Sequence, residues 1–189
     1  NTLAAHQLDS NQYKTVVLDN VTDFQDMALK EVLGVDEVPA QLGWGVATQQ
    51  QYGEVALYMK EMMRNFIQKL DCNIAILAQE REFNNEGNSE IIAPYVNAGL
   101  SPSIAGWLGP AVDYLVQTFL RESFEETTKT VEGKSITVKK PKVEFCLRVG
   151  PHPVYSTKFT VTRGTALPDV IVDPTFDKIM ALVQGRPAK

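Results

Sequence analysis

The chain has 189 residues, 44% hydrophobic and 22% charged, the balance of an ordinary globular protein long enough to bury a substantial core. A formal net charge of −5 excludes polyanion binding by bulk electrostatics and leaves only a local basic patch for nucleic acid. Cys72 and Cys146 are too few for a disulfide framework and belong to no metal-spaced cluster, and no apolar run nears the roughly 18 to 20 residues of a membrane span, so a cytoplasmic protein with no membrane partner is expected.

The first thirteen residues are polar with a few apolar positions. "KTVVLD" (14–19) is then an apolar, β-branched run, the pattern of a strand covered on both faces. Thr22 or Asp23 caps a helix running to about Leu33, where Gly34 stops it. Gly34 to Gln50 is loop-like around Pro39, Gly43, Trp44 and Gly45. A longer helix, Tyr52 to Leu70, follows from the spacing of Val55, Met59, Met62, Phe66 and Leu70, a stripe suited to packing on a sheet.

"NIAILAQ" (73–79) reads as a second buried strand, and residues 80–102 as a long polar connection of the kind that carries function. "VDYLVQTFLRESF" and "KVEFCLRVG" are two strands around a charged hairpin tip at about 125–142. "DPTFDKIMALVQG" closes the chain as a short helix capped at Asp173, with Pro174 in its first turn. The order predicts one α/β domain over 1–189: a mainly parallel sheet flanked by helices, with a C-terminal antiparallel hairpin extension.

Two strand ends carry the chemistry. Ligands of parallel sheets bind at the carboxyl ends of the strands. A carboxylate there, Asp19, can hold Mg²⁺ beside a nucleotide's phosphates, and an amide on the next strand, Gln79, can touch the terminal phosphate. Asp also ends strands as a plain turn residue, and the run alone does not choose between these readings.

From "TVVLDNVTDF" through "NIAILAQE" to "RVGPHPVYSTKF", roughly residues 12 to 180, the sequence resembles the ATPase core of RecA-like recombinases. More narrowly it resembles the phage-encoded nucleotide-binding proteins of that superfamily, proposed to act in single-strand annealing and recombination. The resemblance implies a RecA-like P-loop NTPase fold, ATP and Mg²⁺ as cofactors, and single-stranded DNA and further copies of the chain, in a ring or filament, as partners. Asp19 falls on the Walker B aspartate and metal ligand, with Asp19, Asn20 and Gln79 on the nucleotide-binding positions. Gln79 is the amide that couples ATP to DNA. "YSTKFTVTR" falls where basic residues reach the neighbouring subunit's ATP, which makes Lys158 the first and Arg163 the second choice for that catalytic role. The stretches Gly34 to Gln50 and Glu80 to about Ser101 fall on the two DNA-facing loops.

The sequence departs from the pattern at the phosphates. No G-x-x-x-x-G-K-[ST] stands anywhere in the 189 residues, and the Gly133-Lys134 pair has Thr128 where the first glycine belongs. Together with the non-Met start, this leads us to expect the C-terminal part of a longer ATPase, inactive by itself, or a degenerate relative. For DNA, Arg81 stands among Glu80, Glu82, Glu86 and Glu90, while positive charge gathers at Lys129, Lys134, Lys139, Lys140, Lys142 and Arg148. Trp44, Phe83, Tyr95 and Trp107 are the aromatics near the loops, with Trp44, Arg81, Lys139 and Lys140 the DNA-binding candidates. His6 and His152 are too separate for a zinc site or triad. The competing expectations are a non-catalytic RecA-fold interaction or DNA-binding module, and a helicase-loader or motor ATPase of the same superfamily.

Overall fold

The computed structural model describes residues 13–36, 47–83, 95–131 and 134–186, with side chains at 129–131 and 134–136 left aside. Trp44 and most of the first expected loop lie outside the described residues, as do 84–94 of the second. The chain divides into two compact units, Asn1–Ala111 and Val112–Lys189.

In the first unit, β1 (Thr15–Leu18) and β2 (Asn73–Ile76) form a parallel pair in the register Thr15↔Asn73 to Leu18↔Ile76. Between them run α1 (Val21–Leu33) and α2 (Gln49–Lys69). The cap of α1 is Asn20, not Thr22 or Asp23: its side chain accepts from Asp23 N at 2.8 Å and donates to Asp23 Oδ2 at 2.8 Å. Gly34 ends the helix as expected. α2 begins three residues earlier than the apolar stripe suggests, because Thr48 and Gln51 build a reciprocal capping box.

α2 buries Val55, Ala56, Met59 and Met63, and the core is completed by Val21 and Ala28 of α1 and by Leu100, Ile104 and Leu108. Ile104 and Leu108 belong to α3 (Pro102–Ala111). Met63, fully buried, takes the place the stripe assigned to Met62, which is only partly buried.

The expectation of a mainly parallel sheet is overturned. Among the described residues β1–β2 is the one parallel pair, and every other pair is antiparallel. A parallel pair needs a long crossover, and the segment that holds α1 and α2 supplies it. Residues 80–98, expected as loop, contribute β3 (Glu80–Phe83) and β4 (Tyr95–Ala98), paired antiparallel. β1 is likewise not covered on both faces: Val17 is 55% exposed, as the outer face of a two-strand ladder carries no second layer among the described residues.

In the second unit, β5 (Tyr114–Leu115) pairs antiparallel with β8 (Lys158–Phe159). β6 (Gln117–Val131) and β7 (Lys134–Arg148) form a ladder from Gln117↔Arg148 to Val131↔Lys134. The stretch expected as a charged tip is therefore the outer half of two 15-residue strands. β9 (Val170–Val172) adds to β7 only at Cys146, Leu147 and Arg148. α4 (Phe176–Val183) is capped by Thr175, which accepts from Lys178 N, and not by Asp173, which sits at φ 48 just after β9. Leu147, Val149, Ile171 and Leu182 form this unit's core, with Phe159, Val161, Leu167 and Ile179 against it.

Candidate functional site

The parallel register of β1 and β2 decides which side chains share an end. Both strands stop level, at Leu18 and Ile76, and the pairing carries on one step as Leu77 N donates to Leu18 O at 2.9 Å. Asp19 and Gln79 therefore both follow the carboxyl end of the same ladder, and both are exposed. Val21 N then donates to Leu77 O at 2.8 Å, which seats the first turn of α1 against the end of β2.

Among the described residues Gln79 is held by its backbone. Its N–H donates to the Thr22 hydroxyl at 3.1 Å, and its carbonyl accepts from Gly99 N at 2.6 Å. One peptide segment thus links the first turn of α1 to the residue that follows β4. A Cβ on Gly99 would stand 3.1 Å from the Gln79 carbonyl and 3.6 Å from the Thr22 methyl, so the close approach favours glycine. Gln25 adds a second tie, its side-chain oxygen accepting from Ser101 N at 2.7 Å. Nothing in the sequence marks Thr22, Gln25 and Gly99 as the residues that tie this region together; the sole local signal is Thr in a helix's first turn, which reads as a cap.

The other candidates stand as follows. Asn20 directs both ends of its side-chain amide at Asp23. Arg81, on β3, lies 5.6 Å over the Phe83 ring. Phe83 and Tyr95, facing partners of the β3–β4 ladder, stack on one another at 5.3 Å and 15°. Trp107 is partly buried on α3 with the Arg64 guanidinium 5.9 Å over its ring.

In the second unit, Lys158 of β8 donates from Nζ to the Val112 carbonyl, while Arg163 is exposed. Lys139 pairs with Glu126 at 3.1 Å, and Lys140 stands opposite Glu125 in the register. The Arg148 guanidinium lies 4.7 Å over the Phe119 ring and 4.7 Å over the Tyr155 ring, and Nδ1 of His152 accepts from Val154 N and Tyr155 N to shape the turn. Arg121 grips Glu144 at 2.8 Å; that hydrogen bond holds the Glu144 carboxyl below its usual value, helped by Ser123 and Lys142 and opposed by desolvation.

Asp19 is the carboxylate that directly follows β1 at this ladder end. Among the described residues no group of three or more His, Cys, Asp or Glu is placed to hold an ion. An exposed Asp19 at a strand end fits a Mg²⁺ that takes its remaining ligands from phosphate oxygens and water. Asp19 and Gln79 thus fit the metal and terminal-phosphate edge of a Mg-nucleotide, and neither belongs to a phosphate-cradling loop.

No helix among the described residues is long and apolar enough to cross a membrane. No curated protein and no solved structure matches the chain. A family model described as an AAA domain matches residues 2–148, a span that holds β1, β2, Asp19 and Gln79. By that match, which covers well over half its length, the chain belongs to the AAA domain family of P-loop ATPases.

Proposed function

We propose that this chain supplies the magnesium side and the terminal-phosphate side of the ATP site in a RecA-like ATPase that acts on single-stranded DNA, in recombination, annealing or repair of the phage type. One observation carries the reading: Asp19 and Gln79 leave the carboxyl end of one parallel ladder, and the Gln79 backbone is tied to both α1 and Gly99. Asp19 holds the metal, Gln79 meets the terminal phosphate, and Asn20 shapes the turn between Asp19 and α1 through its cap. The bound Mg-nucleotide supplies the hydrolysable phosphoanhydride and the charge that Gln79 senses.

Because β3 starts at Glu80, a shift of Gln79 is passed directly into the β3–β4 hairpin with Arg81 on it. Lys158 and Arg163 act on the nucleotide of an adjacent subunit. Trp44, Arg81 and Lys140 contact DNA, with ATP-dependent affinity as the output, while Lys139 is engaged by Glu126.

The second reading is a non-catalytic DNA-binding or assembly module. It is favoured by the engagement of the Lys158 ammonium with the Val112 carbonyl, a structural use of the group assigned to catalysis. Binding of fluorescent ATP and of a labelled single strand by the full-length protein, each with and without Mg²⁺, separates the two. On the ATPase reading, Asp19→Asn weakens Mg²⁺-dependent nucleotide binding about 10-fold or more. Gln79→Ala leaves nucleotide affinity within about 2-fold and removes the effect of ATP on DNA affinity. Single-strand binding by the wild-type protein that ignores ATP overturns this reading in favour of the module.

A further inference from the structure

The β6–β7 ladder has two unlike faces. Alternation along the strands puts Leu120, Glu122, Phe124 and Glu126 of β6 on one face, opposite Phe145, Val143, Pro141 and Lys139 of β7. At the base of this face Leu147 is buried with Ile171 and Leu182. Outward from there the apolar surface continues with no cover among the described residues: Leu120, Phe124, Val143 and Phe145 are 64%, 67%, 56% and 64% exposed. A cleft of about 610 Å³ between Leu120, Phe145 and the Asp173–Thr175 segment extends it.

We infer that this face is a homodimer interface, on which the hairpin of a second copy packs face to face about a two-fold axis parallel to the strands. Area is the first argument. Four side chains of this size and exposure present on the order of 500 Å², the upper end for a lone monomer's largest apolar patch. One such patch buried against another removes roughly 1,000 Å² in total, about the threshold of a stable interface.

Self-complementarity is the second argument. A two-fold axis along the strands lays each β6 row over the β7 row of the other copy. Leu120 then meets Phe145, Phe124 meets Pro141, and Glu126 meets Lys139. The Leu120/Phe145 and Phe124/Pro141 rows fall apolar on apolar, and the outermost row joins opposite signs. Glu122 falls over Val143 and reaches the rim with its flexible stem. The contact is isologous, unlike the head-to-tail contact that builds a ring or filament, and it stands on the hairpin alone, independent of the nucleotide site.

Analytical ultracentrifugation of the whole protein without nucleotide, from about 1 to 50 µM, tests the inference. The wild type is expected to sediment as a concentration-dependent dimer. Phe124→Glu with Phe145→Glu raises the dissociation constant about 100-fold. Val138→Glu, on the opposite face, leaves it within about 2-fold. Circular dichroism and a cooperative melt establish that each variant is folded. If the double variant fails to fold, Phe124→Ser decides alone, with an expected rise of about 10-fold. A wild type monomeric at about 50 µM, self-association untouched by the folded variants, or equal loss in Val138→Glu each overturns the inference.

Discussion

Truncating Met63 tests how the first unit is held together. Met63 is 0% exposed on α2, beside Met59 at 0%, so Met63→Ala removes a side chain with no solvent contact to lose. Returning a buried side chain of this size to water is worth about 1.5–3 kcal/mol. The hole left behind adds about 24 cal/mol per Å³ that the neighbours fail to fill, which brings Met-to-Ala changes to about 2–5 kcal/mol. Met62 is only partly buried, and its truncation should cost well under half as much as that of Met63. Leu57, 71% exposed on the same helix, should change stability by no more than about 0.5 kcal/mol. Urea unfolding followed by circular dichroism, with the three alanine variants run beside the wild type, gives the order directly. Met62→Ala equal to or worse than Met63→Ala would refute the assignment of the buried face. A large loss from Leu57→Ala would show that another surface covers α2.

Two further predictions concern close glycine packing and a titrating ion pair. A Cβ on Gly150 would stand 2.7 Å from Asp169 Cα, whose carbonyl accepts from both Val149 N and Gly150 N, so Gly150→Ala should lower stability by about 1–3 kcal/mol. Gly106→Ala, on α3 with open space at its Cβ, should instead be neutral or stabilising by up to about 1 kcal/mol; equal losses in the two melts would refute the packing argument. Glu144 titrates below its usual 4.5 because Arg121 binds the carboxylate, so its contribution is present above that pH and lost as pH falls through the depressed value. The stability gap between wild type and Arg121→Gln should be widest near neutrality and close in acid below the ordinary Glu value, and a gap constant from neutral to acid pH would refute the linkage.

The sequence was most legible where a few neighbouring residues decide the outcome. The stop at Gly34 and the helical spacing of Val55 and Met59 are properties of short windows. So is the return of β7 beside β6, which follows from two strand-like runs on either side of a short Gly-containing segment. Local cues misplaced the helix starts, because Thr22, Asp23 and Asp173 are all competent caps while Asn20 and Thr175 took the positions. The 3.6-residue period also tolerates a one-residue error at the edge of a stripe, and so it offered Met62 where the core took Met63. The antiparallel pairing of 80–83 with 95–98 was missed because polar strands lack the hydrophobic alternation that marks a half-buried one.

By itself, then, the sequence determined that an apolar run ends in Asp19, that a second one leads to Gln79, and that helices and a long hairpin accompany them. Which groups meet was decided only in three dimensions. Thr22 and Gln79 are 57 positions apart, and Lys158 and Val112 are 46 apart. Phe83 and Tyr95 turned out to stack on each other. Such partnerships follow from strand register and helix seating, which sum many weak long-range contacts, and no short window of residues encodes that sum.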